Sequence, residues 1–247
     1  MNHHSFVTMH KLILLLLLFL GISTLLSAND PNQMVMILLP TEDSNQGHLF
    51  KFEKRDGEWS QIGPKHPITI GANGVAWSDS PHAPANARYK VEGDKRSPAG
   101  IFSLKQTFGR ASNQKAKYML MPYEQIGPNA QCIEDNNSAY YNRIVFDNTQ
   151  VVPDWTQDDR MLREDNLYDW GVFVEVNTDK TPGKGSCIFI HIWRGSDKPT
   201  AGCTAMSKRH LTQLVYWLDP MKDPQMALMT QKDYDRLKGE LDLPEVK

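Results

Sequence analysis

The sequence has little of several features that would narrow its function at once. Its formal net charge is only −2, with 27 basic and 29 acidic residues, so it has neither a basic excess for binding nucleic acid nor an acidic tail. It contains no Cys-x2-Cys motif and no pair of histidines on one helix, which argues against a metal site. We therefore expect no metal and no nucleic-acid partner.

Only one stretch is hydrophobic enough for a bilayer, and it lies near the N-terminus. The apolar run Leu12–Leu26 is short for a spanning helix and typical of a signal-peptide core. We expect residues 1–28 to be a secretory signal that is cleaved near Ala28. An uncleaved anchor is the alternative, because Leu26 is a poor residue for the −3 position. The rest of the chain is expected to be exported, to the periplasm or cell envelope.

Cysteine is scarce, and the count is odd. The three are Cys132, Cys187 and Cys203. In an oxidising compartment two can pair, and the third needs a reason to stay free. It either packs as a small hydrophobic residue or acts as a nucleophile.

Short strands separated by turn signals make up most of the remaining pattern. "HLFKFEKRDGEWSQIG" predicts a hairpin with its turn at Asp56–Gly57. "GVFVEVN" predicts a strand whose three valines share one face. The most apolar segment, "SCIFIHIW", predicts a further strand, running from Cys187 to Trp193.

One helix is strongly indicated. Ser207 can cap it, and Asp219–Pro220 should end it. Its apolar residues, spaced as one helical face, are Leu211, Leu214, Val215 and Leu218. We therefore expect a single, mainly β domain over residues 29–229 with minor helical decoration, followed by a C-terminal tail, residues 230–247.

The segment "HIWRGSDKPTAGC" places His191 at a strand end and Cys203 after a glycine. Period-two geometry puts His191 on the strand face opposite the isoleucines. Backbone N–H groups around Cys203 would favour a thiolate and cradle an oxyanion, and a nearby histidine could take the thiol proton. Spacing alone leaves three interpretations open: a catalytic pair, a metal site, or an ordinary strand and loop.

The surrounding residues resemble the L,D-transpeptidase (YkuD-type) catalytic domain of bacterial cell-wall enzymes. The similarity lies in His191, the following loop and the turn Thr200–Cys203, in the branch with "HIW…PTAGCTAMS". "VEGDKRSPAGIFSL", residues 91–104, resembles that family's charged turn and following strand. The resemblance covers most of residues 71–229 and implies a β-sandwich domain with one clear helix after the cysteine.

The resemblance also implies roles for these residues. Cys203 would be the nucleophile, and His191 would activate it and later protonate the leaving amine. The backbone N–H groups of Ala201, Gly202 and Cys203 would form the oxyanion hole, and Thr200 would shape the turn. The family holds the histidine through a main-chain carbonyl, and its chemistry needs no cofactor.

Two departures from the widespread family form affect substrate binding. Ala201 and Ala205 stand where that form often has polar residues, so a carboxylate contact must come from elsewhere. Arg194 is a candidate, since a guanidinium can hold a carboxylate with two hydrogen bonds; the alternative is a solvated loop arginine. Trp193 and Thr200 are further candidates for the cleft, with core packing as the alternative for Trp193.

The implied reaction is acyl transfer on peptidoglycan stem peptides that carry a diamino acid and a terminal D-alanine. An amine from a second stem, or from an envelope lipoprotein, would complete an L,D-transpeptidase reaction; water would make the protein an L,D-carboxypeptidase. A non-catalytic peptidoglycan-binding β domain is the alternative of another class. If Cys203 stays free, Cys132 and Cys187 can form a disulfide, the alternative being two buried thiols.

Overall fold

Strands dominate the secondary structure. The computed structural model describes residues 31–147, 149–156 and 159–246, and the expected signal peptide lies outside them. The strands within these ranges are β1 (Gln33–Leu39), β2 (Gln46–Arg55), β3 (Glu58–Gln61), β4 (His66–Thr69), β5 (Val75–Trp77), β6 (Ser97–Gly109), β7 (Tyr123–Gln125), β8 (Gln131–Cys132), β9 (Ile144–Val145), β10 (Trp170–Val174), β11 (Phe189–Ile192), β12 (Thr204–Met206) and β13 (Gln225–Thr230). The helices there are α1 (Asn113–Ala116), α2 (Lys208–Trp217) and α3 (Gln231–Leu237), with a 3-10 turn at Pro220–Lys222. The prediction of a mainly β fold is confirmed.

Eight of these strands pair into a closed ring. Their order is β1-β13-β6-β10-β11-β12-β4-β2, and β2 pairs back onto β1. The pairs β1–β13 and β11–β12 are parallel, whereas the other neighbours in the ring are antiparallel. The expectation of a sandwich is therefore met only as far as the mainly β class, because the strand pairing describes one sheet closed on itself.

The residues of β11 and those just before it divide between two cores. Ile188, Ile190 and Ile192 pack into the main core, as their period-two spacing predicts. Cys187 and Phe189 point the other way, into a second cluster. The strand is shorter than expected and begins at Phe189, because Cys187 has a φ of +54°, which an extended strand does not allow.

The predicted hairpin and helix are both present. β2 pairs with β3 across Asp56 and Gly57, whose φ values of +52° and +81° suit a tight hairpin turn. Helix α2 is capped by Ser207, whose side chain accepts a hydrogen bond from the His210 N–H. The four apolar residues of its predicted face, Leu211, Leu214, Val215 and Leu218, are all buried. The helix thus covers part of the ring through the face that the sequence indicates.

The C-terminal segment continues the same core. Residues 31–247 form one compact unit. Thr230 caps α3 by accepting a hydrogen bond from the Asp233 N–H, and Tyr234 and Leu237 are buried in the main core. Within the described ranges, no helix is long and apolar enough to cross a membrane.

Replacing Ile190 with alanine tests the main core. The side chain is fully buried, so its truncation should lower the free energy of unfolding by about 2–5 kcal/mol. Val152→Ala is the control, because Val152 is 84% exposed and should change stability by less than about 0.5 kcal/mol. Denaturant unfolding of both variants measures the difference, and equal midpoints would contradict this packing.

Candidate active site

The parallel pairing of β11 with β12 brings His191 and Cys203 to one face of the sheet. His191 lies beside Ala205 in the strand register. Cys203, just before β12, lies beside Phe189, whose N–H donates to the Cys203 sulfur at 3.4 Å. Because side chains two positions apart share a face, His191 and Cys203 point the same way, with their Cα atoms about 8 Å apart by strand geometry. Ala205 has a small side chain, which leaves room on this face for the imidazole ring of His191.

The ring of His191 is held in one tautomer. Its Nδ1 lies 2.8 Å from the carbonyl oxygen of Ile192. A carbonyl can only accept, so Nδ1 carries the proton and Nε2 keeps its lone pair. The main-chain partner is of the kind that the family resemblance implies.

Burial keeps this imidazole neutral. Desolvation, helped by the nearby Arg163 and Arg194, lowers the pKa of His191 to about 4, against the opposing effect of the Ile192 carbonyl. At neutral pH the side chain is therefore an unprotonated imidazole. It can accept a proton through Nε2, and once protonated it is a strong acid that readily gives the proton up.

Cys203 rests as a neutral thiol. The residue is partly exposed as a whole, but its sulfur is enclosed by protein atoms. Desolvation of the sulfur raises the pKa of Cys203 to about 12, and the Phe189 N–H opposes this only in part. The backbone N–H groups favour the thiolate, as expected, but desolvation of the sulfur outweighs them.

The thiol proton has a defined acceptor. The Cys203 sulfur donates to the carbonyl oxygen of Cys187 at 3.6 Å. Among the described residues, the hydrogen bonds of this sulfur are to Cys187 and Phe189 and do not include His191. The thiol must therefore turn from the Cys187 carbonyl toward Nε2 before it can be deprotonated.

Hydrogen bonds from two sides brace the turn before Cys203. Thr200 Oγ1 donates to the Cys203 carbonyl at 2.6 Å and accepts from the Gly202 N–H at 3.1 Å. From β6, the fully buried Ser97 donates through Oγ to the Gly202 carbonyl at 2.6 Å. Ser97 Oγ also accepts from the Gly71 N–H at 3.0 Å. Thr200 thus shapes the turn, as the resemblance implies.

One of the three expected oxyanion donors is already engaged. The Gly202 N–H is directed at Thr200 Oγ1 within the turn. This leaves the N–H groups of Ala201 and Cys203 as the candidates for stabilising negative charge beside the sulfur. Two backbone donors are enough for an oxyanion hole.

The other predicted binding residues line the same cleft. Trp193, Arg194 and Thr200 all border it together with His191 and Cys203. Arg194 is 59% exposed, and its guanidinium lies 3.6 Å from the Asp165 carboxylate. A guanidinium so loosely paired remains able to bind a substrate carboxylate.

Sequence reasoning missed two residues at the centre of the cleft. Tyr168 packs edge-on against the His191 ring at 5.4 Å between centroids, and burial raises its pKa. Arg163 lies over the Tyr168 ring at 5.6 Å and is held by Asp165 through two hydrogen bonds of 2.9 and 2.7 Å. Both residues come from loops distant in sequence from Cys203, and no local motif announces them.

Glu134 gives the Cys203 side of the cleft a negative group. Desolvation, together with the carboxylates of Asp159 and Glu92, raises the pKa of Glu134, and Glu134 in turn helps raise the pKa of Cys203. The cleft is therefore bipolar, with arginines near His191 and a carboxyl group near Cys203.

The two remaining cysteines form a disulfide. Cys132 and Cys187 are bonded, with their Cα atoms 5.8 Å apart, and Cys203 is free. Within the described part of the chain, no three His, Cys, Asp or Glu residues are grouped as metal ligands.

The pH dependence of Cys203 alkylation tests the neutral resting thiol. Only the thiolate reacts with iodoacetamide, so with a pKa near 12 the rate should rise steadily from about pH 6 to about pH 10 without a plateau. The same chain unfolded in urea is the control and should level off above about pH 8.5. A plateau below about pH 8 in the folded protein would show an activated thiolate instead.

Replacing Ser97 with alanine tests the hydrogen bonds that hold the turn before Cys203. The change leaves the Gly202 carbonyl and the Gly71 N–H without their buried partner, so stability should fall by about 1–3 kcal/mol. Ser60→Ala on the exposed β3 is the matched control and should have little effect. Thermal unfolding compares the two variants, and equal midpoints would mean that Ser97 does not support the turn.

Comparisons with known proteins place few limits on this site. No family model matches the chain, and no curated protein matches it. Among solved structures, that of Bdellovibrio bacteriovorus Bd1075 is similar with a TM-score of 0.38 and 14% sequence identity, covering 86% of this chain. The chain spans 58% of the length of that structure, and a likeness this weak carries no argument about fold or function.

Proposed function

We propose that this protein is an exported cysteine acyltransferase of the bacterial cell wall, an L,D-transpeptidase acting on peptidoglycan stem peptides. One observation carries the proposal: the Cys203 thiol and the His191 imidazole border one cleft, with Nδ1 bound to the Ile192 carbonyl and Nε2 left as a base. A binding module has no need of a free cysteine opposite a histidine of fixed tautomer.

The first half of the reaction forms a thioester. Cys203 attacks the carbonyl carbon between the diamino acid and the terminal D-alanine, and its proton passes to His191 Nε2. The developing oxyanion is stabilised by the N–H groups of Ala201 and Cys203. As the C–N bond breaks, the imidazolium returns the proton to the amine of D-alanine, which leaves.

The second half releases the acyl group. An acceptor amine gives a proton to His191 and attacks the thioester carbonyl, and Cys203 leaves as a thiolate that is reprotonated by the imidazolium. The acceptor is an amine of a second stem peptide or of an envelope lipoprotein. Water in the same position would give an L,D-carboxypeptidase with the same two residues.

Substrate charge fits the two poles of the cleft. Arg163 and Arg194 both act electrostatically on His191, and Glu134 acts on Cys203. A diamino acid carries both a carboxylate and an ammonium group, so it can meet the arginines at one end and the carboxyl group of Glu134 at the other. Arg194 is the proposed carboxylate contact, with Trp193 and Thr200 bordering the bound peptide.

The fold and the compartment belong to the same proposal. Opposite sides of the closed ring would correspond to the two sheets of the L,D-transpeptidase-type sandwich. The Leu12–Leu26 run would direct export to the periplasm or cell envelope, where both the peptidoglycan and conditions for a disulfide are found. No cofactor takes part in the steps above.

A digest assay tests the reaction. The domain from residue 29 onward is incubated with purified disaccharide-tetrapeptide, and the products are followed by mass spectrometry. We expect dimers linked through the diamino acids together with free D-alanine. Cys203→Ala and His191→Ala should each reduce product formation by about a thousandfold or more, as loss of a nucleophile or its base does.

Controls separate this outcome from its alternatives. His48→Ala, on an exposed histidine outside the cleft, should leave the rate unchanged. Tripeptide and D-alanine without dimers would replace the transpeptidase by a carboxypeptidase. A folded protein that yields neither product, with or without an added lipoprotein acceptor, would overturn the enzyme proposal in favour of a binding domain.

A further inference from the structure

Cys187 has an unusual backbone conformation next to the reactive sulfur. Its φ of +54° lies in the left-handed region, which residues with a β-carbon rarely adopt. The residue is buried, and it directly precedes Ile188 in the main core. Such a conformation persists only where the surroundings hold it in place.

Two anchors hold Cys187 in this conformation. The first is the disulfide to Cys132, which is buried in the second hydrophobic cluster beside Phe189. The second is Asn142, whose Oδ1 accepts a hydrogen bond from the Cys187 N–H at 3.0 Å. One anchor fixes the side chain of Cys187, and the other fixes its amide.

Asn142 is itself firmly placed. Its Nδ2 donates to the carbonyl oxygens of Val176 at 2.7 Å and Asn177 at 3.2 Å, and the residue is buried. Val176 belongs to the main core. Asn142 therefore links the backbone of Cys187 to the main core through Val176.

The consequence of this conformation is the direction of one carbonyl group. The Cys187 oxygen points at Cys203 and accepts the thiol proton at 3.6 Å, while the Phe189 N–H contacts the same sulfur at 3.4 Å. A rotation of the Cys187 backbone out of the left-handed region would turn this oxygen away from the sulfur.

We propose that Cys187 is a positioning residue for the nucleophile: the disulfide with Cys132 and the amide contact with Asn142 aim its carbonyl at the Cys203 thiol and fix that thiol in its resting orientation. The proposal rests on the function proposed above, in that Cys203 is the group to be positioned. It gives the disulfide a role in catalysis beyond bracing the fold.

The carbonyl affects the thiol in two ways. It satisfies the S–H donor, and its negative end disfavours a thiolate beside it. Loss of the anchors should therefore make Cys203 easier to deprotonate. The sulfur atom, no longer held between the Cys187 carbonyl and the Phe189 N–H, should be less well placed for attack. Alkylation at a given pH and turnover of substrate should move in opposite directions.

The double variant Cys132→Ala/Cys187→Ala removes the disulfide and leaves Cys203 as the sole cysteine of the chain. Two quantities are measured: the iodoacetamide rate against pH, and kcat and KM on the disaccharide-tetrapeptide. We expect the alkylation rate at neutral pH to rise about tenfold, and kcat to fall about tenfold with KM within about twofold.

Two further variants keep the test decisive. Asn142→Ala retains the disulfide and removes the amide anchor together with the hydrogen bonds to Val176 and Asn177. It should shift both quantities in the same directions by a smaller factor, and it serves if the double variant fails to fold. Tyr234→Phe is the control: it removes a buried hydroxyl that donates to the Pro244 carbonyl at 2.9 Å, outside the cleft, and should change neither quantity. Far-ultraviolet circular dichroism checks that each variant is folded.

The outcomes separate this proposal from the function on which it rests. If the wild-type protein turns over stem peptides, and the folded anchor variants keep its alkylation profile and its kcat, the positioning role is overturned and the proposed enzyme function stands. A shifted alkylation profile, in a protein that never turns over stem peptides, would support the positioning of Cys203 and overturn the proposed reaction.

Discussion

The parallel contact between β11 and β12 is the constraint on which the site depends. Two parallel neighbours need a connection that leaves the end of the first strand and returns to the opposite end of the sheet, where the second strand begins. The residues between Ile192 and Thr204 form that connection. The returning chain sets Cys203 beside Phe189 and two positions from His191. Ser97, at the start of the long strand β6, donates to the Gly202 carbonyl and so holds the turn that carries Cys203.

Desolvation governs the chemistry of this pair more than any single charge does. It is the largest influence on both residues, and it pushes their pKa values apart, that of His191 down and that of Cys203 up. The pair therefore rests uncharged, and proton transfer between the two would be a step of the proposed reaction rather than a property of the resting state. A bound substrate that carries charge into the cleft would change that balance.

The strand face and the helix that depend on the periodicity of apolar residues could be predicted from the sequence. The alternation of isoleucines before Trp193 separated the core face from the face of His191, and the spacing of apolar residues after Ser207 identified α2. Ring closure could not be foreseen, because it depends on which distant strands pair, as β1 does with both β2 and β13. Tyr168 was missed for the same reason, since only the tertiary fold brings its loop against His191. The large effect of desolvation on the thiol could not be foreseen either, because burial is not visible in a local motif.

The neutral thiol has a consequence for the chemical durability of the protein. Cys203 lies against the carbonyl of Cys187, whose own sulfur is part of a disulfide. A thiolate is the form of cysteine that exchanges with disulfides, and it is also the form that is oxidised to a sulfenic acid. Thiol–disulfide exchange and oxidation both need the deprotonated sulfur. By disfavouring the thiolate at rest, burial lets the free thiol of Cys203 and the disulfide between Cys132 and Cys187 persist in the same chain.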